Sequence, residues 1–177
     1  MTEKNDTSML TEKYIFRNIR QEEIAQTSEI EKICFPPNEA CSYEHMEDRV
    51  KKAPELFLVA EDRTTGRIAG FLNGLATDRE HLTDDFFTDA EVHDPKGKNI
   101  MLLGLDVLPE YQHQGLAREL VRCYKEREKA NGREKLILTC LPDKVEMYQK
   151  FGFKDHGIGE SVWGGEAWHE MSVELRG

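Results

Sequence analysis

The segment Asn99-Ile-Met-Leu-Leu-Gly-Leu-Asp-Val-Leu108 constrains the fold of this 177-residue chain more than any other. It is almost continuously apolar, the pattern of a strand covered on both faces. Pro109-Glu-Tyr-Gln-His-Gln-Gly-Leu-Ala117 follows, and then Leu116, Leu120, Cys123 and Tyr124 fall on one helical stripe. Asn131-Gly132 stops that helix, and Lys135-Leu-Ile-Leu-Thr-Cys140 reads as a second buried strand. A buried strand, a loop, an amphipathic helix and a buried strand form a crossover unit, which implies parallel pairing in this half of the chain.

The first half reads differently. Tyr14-Ile-Phe-Arg-Asn-Ile19 is β-branched and aromatic, a first strand. Gln21 to Cys34 is roughly helical, with Ser28 interrupting its apolar spacing, and Phe35-Pro-Pro-Asn38 breaks it. Ser42 is a helix N-cap, so a second helix spans Tyr43 to Lys52. Leu56–Ala60 and Arg67–Ala76, joined by Thr64-Thr-Gly66, form a hairpin. Thr77 to Lys98 is a long polar and acidic connection, a length that points to a functional or mobile segment. Asp143 to Lys150 is a short helix, and two closing strands lie in the stretch to Gly159 and in Ala167 to Leu175. The expectation is an α/β (α+β) fold in one domain, residues 13–177, behind a flexible leader at 1–12.

Composition narrows the function. Asp and Glu outnumber Lys and Arg by 34 to 24, a net charge of -10. That argues against nucleic acid, which needs a basic surface. It is compatible with a cationic ligand and equally with ordinary solubility. No stretch nears the ~20 apolar residues that span a bilayer, and Met1 to Thr11 has no apolar signal core. The four cysteines (Cys34, Cys41, Cys123, Cys140) have no C-x-x-C spacing and the six histidines are scattered. The reading is reduced thiols, no metal and a cytoplasmic location.

Gln112 to Ala117 lies where a buried strand hands over to a helix. The first turn of a helix offers unpartnered N–H groups and the positive end of the dipole, a setting suited to a phosphate or pyrophosphate. Gly115 permits close backbone approach and Ala117 leaves the helix start uncrowded. Neither a Walker loop nor G-x-G-x-x-G is present. A helix simply starting after Pro109-Glu110 would explain much of the same string. About 30 residues on comes Tyr148-Gln-Lys-Phe-Gly-Phe153.

On these residues the chain resembles the GNAT superfamily of acetyl-CoA-dependent acyltransferases. Gln112, Gly115 and Ala117 match that family's [Q/R]-x-x-G-x-[G/A], and Tyr148, Gly152 and Phe153 match its Tyr-x-x-x-Gly-Phe. Asp78-Arg-Glu-His-Leu-Thr-Asp-Asp85, the turn after Leu105-Asp-Val107, and Cys140 followed by Val145 to Phe153 make it similar to the arylalkylamine (serotonin-type) N-acetyltransferases and their microbial relatives. The resemblance implies a mixed seven-stranded sheet splayed between its fourth and fifth strands and flanked by about four helices.

It also implies a chemistry: direct attack of a primary amine on the acetyl-CoA thioester. Leu105, Asp106 and Val107 would hold the pantetheine arm by backbone hydrogen bonds, as an added strand. His113, Gln114, Gly115, Leu116, Ala117 and Arg118 would follow Gln112 around the pyrophosphate. His113 and Arg118 could equally be solvated. Tyr148, protonated at neutral pH, would be the acid for the departing thiolate, or else a ring packed under Phe151. The two histidines that animal enzymes of this group carry on the fourth strand correspond to Met101 and Leu103. Those aliphatic residues, with Phe35 and Pro36, imply an apolar acceptor slot. The resemblance then offers Glu39 as the base, or else an exposed Glu near a helix start, with Asp106 second and Glu80 and His81 third. Cys140 reads as packing rather than as a nucleophile.

The acceptor is expected to be a small arylalkylamine or polyamine, handled by a monomer or homodimer. Protein N-terminal or lysine acetylation, and a non-catalytic acyl-CoA-binding module, remain as alternatives.

Overall fold

A computed structural model of the chain describes residues 9–176. The elements are β1 (Tyr14–Asn18), α1 (Ile24–Cys34), α2 (Tyr43–Lys52), β2 (Phe57–Asp62), β3 (Ile68–Thr77), a single turn α3 (Asp85–Thr88) and β4 (Asn99–Val107). They continue as α4 (Leu116–Ala130), β5 (Lys135–Cys140), α5 (Val145–Lys150), β6 (Lys154–Ile158) and β7 (His169–Glu174). All seven strands join one sheet in the order β1-β2-β3-β4-β5-β7-β6. This is the mixed seven-stranded sheet that the resemblance implies, covered by helices.

Pairing is antiparallel throughout except between β4 and β5. Parallel pairing in the second half is therefore limited to one contact, because β7 returns beside β5 and leaves β6 at the edge. The parallel contact is itself short: Asn99–Met101 meet Lys135–Ile137 and pairing ends there. Beyond it the two strands diverge, and the C-terminal half of β4 faces a gap.

A bulge shapes that half of β4. Asn73 pairs with Gly104 and Gly74 with Leu102, so Leu103 has no opposite residue on β3. An extra residue inverts the side-chain alternation beyond it. Met101 therefore shares a face with Gly104 and Asp106, whereas Ile100, Leu102 and Leu105 share the other. α4 covers the Ile100 face, where Gly74 leaves room for Tyr124: a Cβ there would lie 3.1 Å from the Tyr124 hydroxyl. α1 covers the Asp106 face.

The long connection after β3 is neither polar nor loose where it matters. Leu82, Phe86 and Phe87 are buried in the core, and the Ala76 N–H donates to His93 Nδ1 at 3.0 Å. Of the expected leader, residues 1–8 lie outside the described chain. Residues 9–13 are helical and bury Leu10.

Candidate active site

One cleft of about 750 Å³ opens at the β4/β5 divergence. Its size lies within the range of small-molecule sites. One arm runs along β4 to the start of α4, lined by Leu105, Val107, Gln112, His113, Gly115 and Arg118, with Leu116 and Ala117 beside them. The other passes under the α1–α2 loop, lined by Glu31, Phe35, Pro36, Glu39 and Arg49.

The first arm ends in a sharp turn. His113 takes φ 62 and Gly115 φ 82, so two left-handed residues swing the chain from β4 into α4. Such a φ is tolerated by His and natural for Gly. The turn is braced from both sides. Gln112 Nε2 donates to the Val107 carbonyl at 3.0 Å, and Gln114 Oε1 accepts from Lys13 Nζ at 2.7 Å and the Tyr14 hydroxyl at 3.1 Å. The α4 N–H groups thus face a recess with no intrahelical partner. An acyl-CoA fits both features: unpaired β4 edge for its pantetheine amides and the α4 start for its pyrophosphate.

Three expected site residues do not line this cleft. Met101 is fully buried on the Asp106 face, because the bulge at Leu103 breaks the two-residue spacing that would have put Met101 and Leu103 side by side. Leu103 does line it. Gln114 spends its side chain on β1. Asp106 is fully buried, with its carboxyl turned beneath β4 toward Glu31. Burial, and then the Glu31 charge, push the Asp106 acid well above the ordinary carboxylate range.

The third-choice bases are elsewhere too. Glu80 is paired with Lys135 (2.7 Å) and Lys98 (2.9 Å), which hold its pKa down at about 2, and His81 binds Glu170 at 2.9 Å. Neither lines the cleft.

Tyr148 stands at the divergence. Its ring packs edge-on against Phe151 (6.0 Å) and Phe153 (5.7 Å), so the packing role is real. Its hydroxyl has no hydrogen bond to a described residue. Burial, then Cys140 on β5 and Asp106 on β4, raise its pKa. That phenol remains a proton donor at neutral pH.

The cleft thiols are unsuited to nucleophilic catalysis. Burial pushes Cys34 up to about 11 and both Cys41 and Cys140 up to about 12, while the Cys140 thiol lies 3.5 Å from Met171 Sδ. A thiol must ionise to attack.

Several lining residues were not legible beforehand. Phe87 stacks on Trp163 with centroids 5.0 Å apart, and Trp163 Nε1 donates to the Glu39 carbonyl at 2.8 Å. Asn38 Nδ2 donates to the Gly164 carbonyl at 3.2 Å. The β6–β7 connection is thereby clasped to the α1–α2 loop and roofs the second arm. Burial and the neighbouring Glu166 carboxyl raise the Glu39 pKa. For Glu31 one signal existed, a charged residue on the inner stripe of α1 one turn beyond Thr27.

Among the described residues no group of side chains is arranged to hold a metal, and no helix is long and apolar enough to cross a membrane.

Comparison with known proteins agrees with this geometry. The profile of the Acetyltransferase (GNAT) family matches residues 24–153. The curated "Probable hydrolase YhcX" of Bacillus subtilis is 27% identical over 158 residues, 85% of this chain but 30% of that protein. The chain thus spans about a third of that relative's length. Among solved structures, the loading GNATL domain of CurA from Lyngbya majuscula superposes with a TM-score of 0.79 at 18% identity, covering 92% of this chain and 98% of that one. The GphF GNAT-like decarboxylase, solved with isobutyryl-CoA, gives 0.72 at 19% identity, over 92% and 100%.

Proposed function

The chain belongs to the Acetyltransferase (GNAT) family, and from that premise we propose that residues 13–177 form an acetyl-CoA-dependent N-acetyltransferase acting on a small primary amine. The observation that carries the proposal is the end of β4/β5 pairing at Met101 and Ile137, with the Tyr148 hydroxyl beside the gap so formed.

The steps follow from the lining residues. The backbone of Leu103 to Val107 holds the pantetheine arm, and an N–H there polarises the thioester carbonyl. Gln112, His113 and the first turn of α4 hold the pyrophosphate. The α1–α2 loop, with Phe35, Pro36 and Leu103, receives the amine. Glu39 takes the ammonium proton, directly or through one water; burial and the Glu166 carboxyl raise its pKa, which makes it a stronger base than an ordinary carboxylate. The amine nitrogen then bonds to the thioester carbon. The C–S bond breaks, Tyr148 gives its proton to the departing thiolate, and the second nitrogen proton, released as the amide forms, restores the phenol by way of solvent. No covalent enzyme intermediate is needed, in keeping with the high pKa values of Cys34, Cys41 and Cys140.

The roof over the acceptor arm favours a small amine over a folded protein. The aromatic pair Phe87–Trp163 under that roof favours an aryl or alkyl tail over a bare polyamine.

The test is thiol release from acetyl-CoA across a panel of arylalkylamines, polyamines, amino acids and N-terminal peptides. Turnover confined to peptides would overturn the small-amine reading. Tight CoA binding without turnover of any amine would leave only the acyl-CoA-binding module.

A further inference from the structure

Arg49 is the exception among the charged residues of the cleft. It sits on α2, is 3% exposed and lines the acceptor arm. Nη2 donates to the Phe87 carbonyl at 3.0 Å, but Nε and Nη1 have no hydrogen-bond partner. No carboxylate of a described residue forms an ion pair with it. A guanidinium withdrawn from water without an anion is costly.

The buried acid of the same arm, Glu31, is already committed. Glu31 Oε2 accepts from the Cys41 N–H at 3.0 Å. Its Oε1 turns toward Gly104, where a Cβ would lie 3.6 Å from it and 3.2 Å from Asp106 Oδ1. Glu31 thus spends one oxygen on backbone and directs the other to Asp106, leaving Arg49 unanswered across Cys41. Arg118 and Lys144, the other formally cationic chains of the cleft, lie at the α4 and α5 starts, away from the acceptor arm.

We propose that Arg49 anchors a carboxylate carried by the molecule that enters this cleft. A planar guanidinium suits that group, which it binds in a forked pair; here the fork is Nη1 or Nε together with the second N–H of Nη2. The carboxylate has two possible sources. It belongs to the acceptor, an amine that is also an acid, or to the far end of a carboxyacyl chain on CoA. The inference rests on the acyl-CoA reading of the cleft, and it narrows the substrate class.

Equilibrium binding tests it without turnover. On the CoA-loaded protein, calorimetry compares N-acetylphenylalanine with its primary amide. On the protein without CoA, succinyl-CoA is compared with butyryl-CoA. One pair is expected to favour the acid by about tenfold or more, as for a buried charged hydrogen bond, and which pair does so identifies the source. Arg49→Gln should remove the preference while leaving CoA affinity unchanged. Arg49→Lys, a second variant that keeps the charge and a donor for the Phe87 carbonyl, should retain part of the preference. If neither acid exceeds its neutral partner by more than about twofold, or if the preference survives in Arg49→Gln, the proposal is wrong and Arg49 only braces Phe87. Failure to acetylate any amine would sink the transferase reading but leave these affinities intact.

Discussion

The carboxyl groups of Glu31 and Asp106 converge beneath Gly104, with Asp106 Oδ1 and Glu31 Oε1 3.2 Å and 3.6 Å from the point a Cβ would occupy there. Both side chains are buried, and neither Asp106 oxygen has a hydrogen-bond donor. Two carboxyls so placed do not both ionise readily.

Stability should consequently respond to pH in the direction set by Asp106. Its folded pKa lies above the ordinary 3.8, so the folded state holds a proton that the unfolded chain releases. The stabilisation is complete below the unfolded value and is lost as pH rises through the folded one. Asp106→Asn should therefore raise the urea midpoint more at pH 8 than at pH 5. An equal change at both values would mean that Asp106 is ionised in the folded protein.

Tyr148→Phe removes a hydroxyl that bonds no described residue and keeps both ring contacts. The melting temperature should barely move. As the loss of a general acid, kcat should fall by about 10²–10⁴-fold, with the KM for acetyl-CoA little changed. Unaltered kcat would assign Tyr148 to packing alone.

Gly115→Ala should separate backbone strain from crowding. The new Cβ meets nothing closer than Leu10 Cδ1 at 4.0 Å, but φ 82 is unfavourable for alanine. A loss of about 1–2 kcal/mol is expected from the left-handed backbone. Relaxation of the turn should also misalign the α4 start and raise the KM for acetyl-CoA above that for the amine. Unfolding curves and paired KM values measure the two effects.

Trp163→Ala removes the stack on Phe87 and the bond to the Glu39 carbonyl. The stack alone is worth about 0.5–1.5 kcal/mol beyond burial. The KM for the amine should rise severalfold while that for acetyl-CoA holds. Equal changes in both would indicate general loosening instead of loss of the acceptor roof.

Much of this was legible in local pattern. The continuous apolar run from Asn99 marked the central strand, the Gln112–Ala117 string marked the turn into α4, and Ser42 marked the start of α2 at Tyr43, where its side chain accepts from the His45 N–H. Each of these depends on residues close together in the chain, because helix starts, buried strands and tight turns are set by short-range sterics and hydrogen bonds.

What neighbouring residues could not encode was left to tertiary structure. A single bulge at Leu103 decided that Met101 points into the core while Leu103 lines the cleft, and a bulge is defined by the partner strand, not by the strand itself. Burial among distant elements decided that Asp106 faces Glu31, that Arg49 lacks an anion and that Phe87 meets Trp163. The sequence determined the turn proposed to hold the CoA pyrophosphate, since that turn is one contiguous segment. Only the fold decided what surrounds the acceptor, because α1, α2, the β3–β4 connection and the β6–β7 connection meet there from far apart in the chain.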